Sequence, residues 1–160
     1  MAIILNIESA TRNCSVAISE NGICLSVVEE SAEKYIHAEK IHEFVEEALQ
    51  KAGKKIQDLQ AVAVSNGPGS YTGLRIGISA AKGFCYALNI KLIALNTNDI
   101  LVDALPEQQQ ADLFLSVLDA RRNEVYARLY NAAKEPISQI EAVELNTESY
   151  KDLANQQLCL

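Results

Sequence analysis

Residues 61–65, Ala-Val-Ala-Val-Ser, are apolar without alternation, and the chain then breaks into Asn66-Gly67-Pro68-Gly69-Ser70 before resuming as "YTGLRIGISAAKGFCYAL". A short unalternating run of small and β-branched residues reads as a strand covered on both faces, and the turn after it leads into a helix. This unit does most to narrow the folds open to the chain, because such a strand belongs in the middle of a sheet that carries helices. The glycines allow a backbone that bulkier residues resist, and Ser70 or Thr72 can cap the helix by accepting from its first free N–H groups. Glycine-rich turns at such a place often cradle phosphate. Here no Lys-Ser or Lys-Thr follows the glycines and the G-x-G-x-x-G spacing is absent, so two common nucleotide signatures are excluded.

Upstream, residues 2–7 are β-prone, 14–19 alternate, and 23–28 follow a Glu20-Asn21-Gly22 turn that signals a hairpin. Three antiparallel strands are expected first. Ile41, Phe44, Val45, Ala48, Leu49 and Ala52 then recur at helical spacing, with Glu39, Glu43, Glu46 and Glu47 off the stripe. That pattern predicts an amphipathic helix within about residues 34–52, closed by Gly53. After the buried strand and a helix at 72–88 come a strand at 91–95 and a short helix near 98–105. The order βββαβαβα is that of an RNase H-like unit, so the fold class is α/β with a mixed sheet.

"PEQQQAD" (106–112) reads as a polar linker, and 113–119, 123–130 and 137–145 are expected strands, with a helical pattern at 147–154. The two halves share a plan. "LNIESATRNCSVAIS" and "LSVLDARRNEVYARLY" each run an apolar strand into an acid, Glu8 or Asp119, then into Arg-Asn and a second strand, with one residue of slippage. The expectation is a duplicated fold, with one RNase H-like lobe over residues 1–105 and the start of a second over 106–160. The second lobe is expected to be incomplete, with "QQLCL" opening one more strand.

On the 72–88 helix, Gly73, Gly77 and Ala81 recur every four residues and make one flank small enough for close approach. Leu74, Ile78 and Cys85 lie beside that flank, while Ile76, Ala80 and Phe84 face another way. A helix apolar on several sides is either buried in its own domain or paired with a partner, and the pattern leaves both open. Glu8 and Asp119 stand where duplicated ATPase folds keep acids near phosphate or Mg²⁺, and each could instead bond its own turn. His37 and His42 are five positions apart, about 140° around a helix, so they do not share one ion. No histidine near Ser70 in sequence would make it a nucleophile.

A net charge of −7 argues against a primary grip on nucleic acid, and the one basic cluster, Lys51, Lys54 and Lys55, reads as the cationic end of a helix. Four cysteines without C-x-x-C pairing read as small buried hydrophobes in a reducing compartment. No run approaches the roughly 18 apolar residues of a membrane span, and the start lacks the basic region of a signal peptide.

"GPGSYTGLRIG" (67–77), "LNIESATRNCSVAI" (5–18) and "LDARRNEVYARLY" (118–130) together resemble the TsaB family, also called YeaZ, over roughly residues 3–145. The resemblance implies an actin-like ATPase (ASKHA) fold and a cytoplasmic subunit, itself not catalytic, that helps form N6-threonylcarbamoyladenosine at position 37 of tRNA. It implies that a paralogue, TsaD, carries out the transfer with this chain as its partner. That paralogue has an H-x-x-x-H pair after the strand that follows the glycine motif. The matching "LIALNTNDILVDAL" (92–105) holds no histidine, so no metal site is expected.

In the family the first two helices pair with those of the paralogue or of a second TsaB copy. This assigns interface roles to Ile41, Phe44, Val45, Ala48, Gly73, Leu74, Gly77, Ile78 and Ala81. It leaves Gly67, Pro68, Gly69, Ser70 and Thr72 as turn and helix cap, with Glu8 and Asp119 as relics of a nucleotide site. No cofactor is implied for this chain by itself; ATP would enter through the partner complex. A TsaE-type ATPase is a further implied partner, tRNA is met only indirectly, and no membrane is involved. Two other readings stand beside this one. A stand-alone ATPase or kinase of the same fold would need Glu8 and Asp119 as working acids, and an M22-type metalloprotease would need a metal motif.

Overall fold

The computed structural model describes residues 2–31, 37–146, 149–151 and 157–159. The helix expected at 147–154 falls largely outside them. The chain divides into two compact units, Met1–Leu95 and Asn96–Leu160.

The first unit opens with β1 (Ile3–Glu8), β2 (Asn13–Glu20) and β3 (Ile23–Ser31), continues through α1 (His37–Ala52) and a 3-10 turn at Ile56–Asp58, and ends with β4 (Ala61–Ser65), α2 (Tyr71–Leu88) and β5 (Lys91–Leu95). The sheet order is β3-β2-β1-β4-β5, antiparallel among the first three strands and parallel from β1 to β4 and from β4 to β5. Parallel neighbours need a crossover, and α2 supplies the one between β4 and β5. All five residues of β4 are buried, as its unalternating sequence predicts.

The core lies on one face of this sheet, where Leu5, Ile7, Val16, Ile18, Val62 and Val64 meet the apolar stripe of α1. Ile41, Phe44, Val45, Ala48 and Leu49 are all buried there, and each large one contributes about 2 kcal/mol by leaving water. The β2–β3 turn carries Asn21 at φ 51° and Gly22 at φ 82°, the mirror-image geometry that matches strand twist.

The second unit holds α3 (Thr97–Asp103), β6 (Leu113–Arg121), β7 (Glu124–Asn131), β8 (Glu141–Glu144) and β9 (Leu158–Cys159), in sheet order β8-β7-β6-β9. β6 and β7 form an antiparallel pair and β9 runs parallel beside β6, repeating the relation of β1 to β2 and to β4. That repeated plan is the duplication expected of an actin-like fold.

Two expectations shift. The break falls after Leu95 rather than after 105, because α3 stands with the second sheet: Asn98 Nδ2 donates to Ser116 O and Oγ at 3.1 and 3.0 Å, and Val102 joins Phe114 and Tyr130 in a small core. The strand expected at 137–145 is regular only over Glu141–Glu144, because the Ser138 hydroxyl accepts from Leu129 N at 2.9 Å and displaces a ladder carbonyl.

Candidate functional site

The opening glycine turn joins β4 to α2 and lies against the end of β1. Gly67–Pro68 is a cis peptide, Ser70 N donates to Ala10 O at 2.6 Å, and the Ser70 hydroxyl accepts from Gly73 N at 3.2 Å as the helix cap. Thr72, the other candidate cap, is exposed. A side chain at Gly73 would collide with Ser9 O, and one at Gly77 with the Ser9 hydroxyl. Glycine is favoured at both because α2 lies against the residue after β1, on its backbone carbonyl at Gly73 and on its side chain at Gly77.

The acids are held by their own turns. Glu8 Oε1 accepts from Ala10 N at 2.7 Å and from Ser65 Oγ at 2.8 Å, tying the end of β1 to the end of β4. Asp119 Oδ1 accepts from Arg121 N at 2.8 Å. Each acid closes a bond to the N–H two residues on, the alternative that the sequence left open. Among the described residues no three His, Cys, Asp or Glu side chains converge as metal ligands, and no helix is long and apolar enough to cross a membrane.

The interface positions drawn from the first two helices need correction. Gly73, Gly77 and Ala81 are the buried residues of α2 and face the strands of their own unit. Ile41, Phe44, Val45 and Ala48 are 1, 6, 2 and 0 % exposed, so they too belong to the core. Leu74 and Ile78 are half-buried on the flank of α2. Small residues at four-residue spacing serve helix-on-strand contact here, because a helix laid on a strand end needs the same closeness as a helix laid on a helix.

Beside that flank α2 carries a half-buried apolar row, Ile76, Ala80 and Phe84, which packs against the core on one side and borders an open hollow on the other. A cavity of about 830 Å³ runs between the outer sides of α1 and α2, lined by His42, Ile76, Ala80, Gly83, Phe84 and Ala87 among others. A second hollow of about 410 Å³ continues it past His42 and Phe84 toward Ile56. The two rings meet there, centroids 5.5 Å apart and planes tilted by 55°. At the other end Arg75 lies over the Tyr71 ring at 5.4 Å and donates to its hydroxyl at 3.2 Å. Tyr71 and Tyr86 on the same helix are 73 and 92 % exposed. The i, i+4 repeat of Ile76, Ala80 and Phe84 is the sequence signal for this groove, overshadowed by the glycine repeat beside it.

Charge is spent internally elsewhere. Lys51 pairs with Glu47 at 2.8 Å and Lys54 with Glu20 at 2.9 Å, so two of the three clustered lysines are neutralised within the chain. In the second unit Asp99 Oδ1 accepts from Tyr130 OH at 2.6 Å and from Arg128 Nη1 at 2.8 Å. Burial first, and Asp99 next, push the Tyr130 phenol well above its ordinary value, so it stays protonated and donating.

The chain matches the family model "TsaD: tRNA N6-adenosine threonylcarbamoyltransferase" over residues 26–149. It is 33 % identical over 123 residues to the tRNA threonylcarbamoyladenosine biosynthesis protein TsaB of Escherichia coli, covering 77 % of this chain and 52 % of that protein. A tRNA N6-adenosine threonylcarbamoyltransferase of Phocaeicola vulgatus is 40 % identical over 108 residues, covering 59 % of this chain and 32 % of the enzyme. The solved structure of YeaZ from Pseudomonas aeruginosa superposes with a TM-score of 0.80 at 27 % identity, over 93 % of this chain and 70 % of that one. The chain spans about half the length of the curated TsaB relatives it matches. With the glycine turn, the paired hairpins and the sheet order in place, these likenesses make the chain a member of the TsaB (YeaZ) family.

Proposed function

We propose that this chain works in the formation of N6-threonylcarbamoyladenosine on tRNA as a non-catalytic partner of a TsaD-type transferase, which it docks through the outer groove of α1 and α2. The observation that carries the reading is that groove, an open and largely apolar surface with the exposed Tyr71 ring at one end. Apolar surface of this extent, flanked by charged residues, is characteristic of protein–protein contact. The matched region of the transferase family spans α1 and α2, so a partner of that family brings an equivalent helix pair and the two faces can meet about an approximate two-fold axis. The segment Leu92–Leu105 has no histidine, which leaves metal chemistry to the partner. The −7 net charge and the paired lysines leave the tRNA to it as well. A second copy of this chain and a TsaE-type ATPase are further occupants of the same assembly under this reading, with any ATP held at the complex rather than by this chain.

The test is light scattering on a sizing column with the chain alone and mixed with the TsaD-type protein of its own organism. A one-to-one complex is expected. Ala87→Arg, at an exposed position of α2 that lines the groove, is expected to abolish it while leaving the thermal unfolding midpoint within a few degrees of wild type. A complex that survives Ala87→Arg, or no complex with wild type, overturns the reading.

A further inference from the structure

His42 is the one titratable imidazole described on the wall of the groove, and it stands at the waist where the two hollows meet, against Phe84. It is exposed in the chain alone, so water solvates either protonation state. A partner seated along α1 and α2 removes that water from a site whose other lining there is Ile76, Ala80, Phe84 and Ala87. Desolvation penalises the charged imidazolium and spares the neutral ring. We propose that docking at this groove is coupled to the proton on His42: the partner binds the chain with a neutral imidazole, and protonation of His42 weakens the complex. This rests on the reading of the groove as the docking surface.

The other charged groups that line the two hollows do not reverse the sign. Glu46 on α1 lines the second hollow with His42 and favours the imidazolium by Coulomb attraction. The loss of water on docking strengthens that attraction, and we take the desolvation penalty to exceed it, Glu46 being exposed and screened by solvent. Glu43, next on α1, is bound to Lys40 at 2.9 Å. Lys54, at the far end of the second hollow, is neutralised by Glu20. Arg75 on α2 stays over Tyr71 at the distant end of the first hollow and opposes rather than favours a second positive charge. Attraction between the imidazolium and the face of Phe84 is likewise present before docking. What changes on docking is access to water.

The sign follows. The complex binds fewer protons than the separated chains, so affinity falls as pH falls through the histidine range. With the ring held neutral in the complex, each pH unit below the histidine range weakens the affinity by up to about tenfold.

The experiment is the dissociation constant of this chain and its organism's TsaD-type protein at pH 5.5, 6.5, 7.5 and 8.0, for wild type and for His42→Gln. The expected result is about tenfold weakening toward pH 5.5 in wild type and a ratio near one in His42→Gln, whatever that variant's affinity at pH 8. Equal pH dependence in the two proteins, or tighter binding at low pH, overturns the coupling and leaves the docking reading intact. The absence of any complex at all four pH values overturns both. Should His42→Gln bind too weakly to measure, the ¹³C-labelled ring of wild-type His42 is titrated by NMR, free and in the complex. A midpoint that drops in the complex supports the proposal, and one that stays or rises overturns it.

Discussion

Cys14 shows how a single buried group writes itself into stability. Its side chain is fully buried in the core beside Val16, and burial first, then Glu30 and Glu8, push its thiol up to about 11. The folded state therefore holds its proton in a range where the unfolded chain, at the usual value, has released it. Unfolding then gives up a proton, and stability falls as pH rises between about 9 and 11. Urea melts at pH 8, 9.5 and 10.5 are expected to show a declining free energy, with Cys14→Ser lacking this component; an unchanged wild-type curve would contradict it. Arg121, Arg122 and Asn123 present the opposite case at the surface, three consecutive residues with φ between 53° and 72°. They are held there by Asp119 on one side and by Asn123 Nδ2 donating to Leu145 O at 2.6 Å on the other. Left-handed arginines cost about 1 kcal/mol each; Asn123 is of a type that takes this conformation readily, and nothing in the sequence of that hairpin announces it for Arg121 and Arg122.

At the scale of the element, α2 is the helix on which sequence reading and structure part company. Its existence, its Ser70 cap and its span were legible, because capping residue, glycine turn and apolar periodicity agree over Tyr71–Leu88. So were β4 and β5, residue for residue. The direction of each face was not. Periodicity says which residues share a side, and it cannot say whether a strand of the same domain or a helix of another fills the space opposite. Gly73 and Gly77 face Ser9, more than sixty positions back along the chain with a whole helix between, and no local pattern encodes that meeting. The consequence is measurable. Gly77→Leu is expected to cost about 3 kcal/mol or more, since the new side chain lands on the buried Ser9 side chain and beside Ile7 in the core. A Gly77→Leu protein that melts like wild type would restore the glycine flank as a free surface.

For the whole molecule, the doubling of one plan explains why the sequence comparison of the halves worked at all. In both units an acid at or near the end of the first strand, Glu8 or Asp119, bonds the N–H two residues on, and the chain turns into an antiparallel neighbour. The halves diverge where each builds its own core. All the buried residues of the larger core, from Leu5 to Ala81, lie within Met1–Leu95. Residues 1–95 expressed alone are therefore expected to unfold in urea with one cooperative transition, as a domain with its own core does. A broad, gradual melt would show that the second unit is needed to hold the first. The boundary of the units escaped the sequence because α3 looks like the close of one repeat by order, while its side chains Asn98 and Val102 bind it to the next.

The contact of α2 with the end of β1 through two glycines has one more consequence. Only the short Ser9 side chain stands between helix and strand at Gly77, and at Gly73 the approach is to the Ser9 carbonyl itself, so the helix axis is held close to the sheet and inherits much of its stiffness. The half-buried row of Ile76, Ala80 and Phe84 that borders the groove is then carried on a rigid rail. A partner that seats itself there meets a surface already in its bound shape, and it loses little conformational entropy in the meeting.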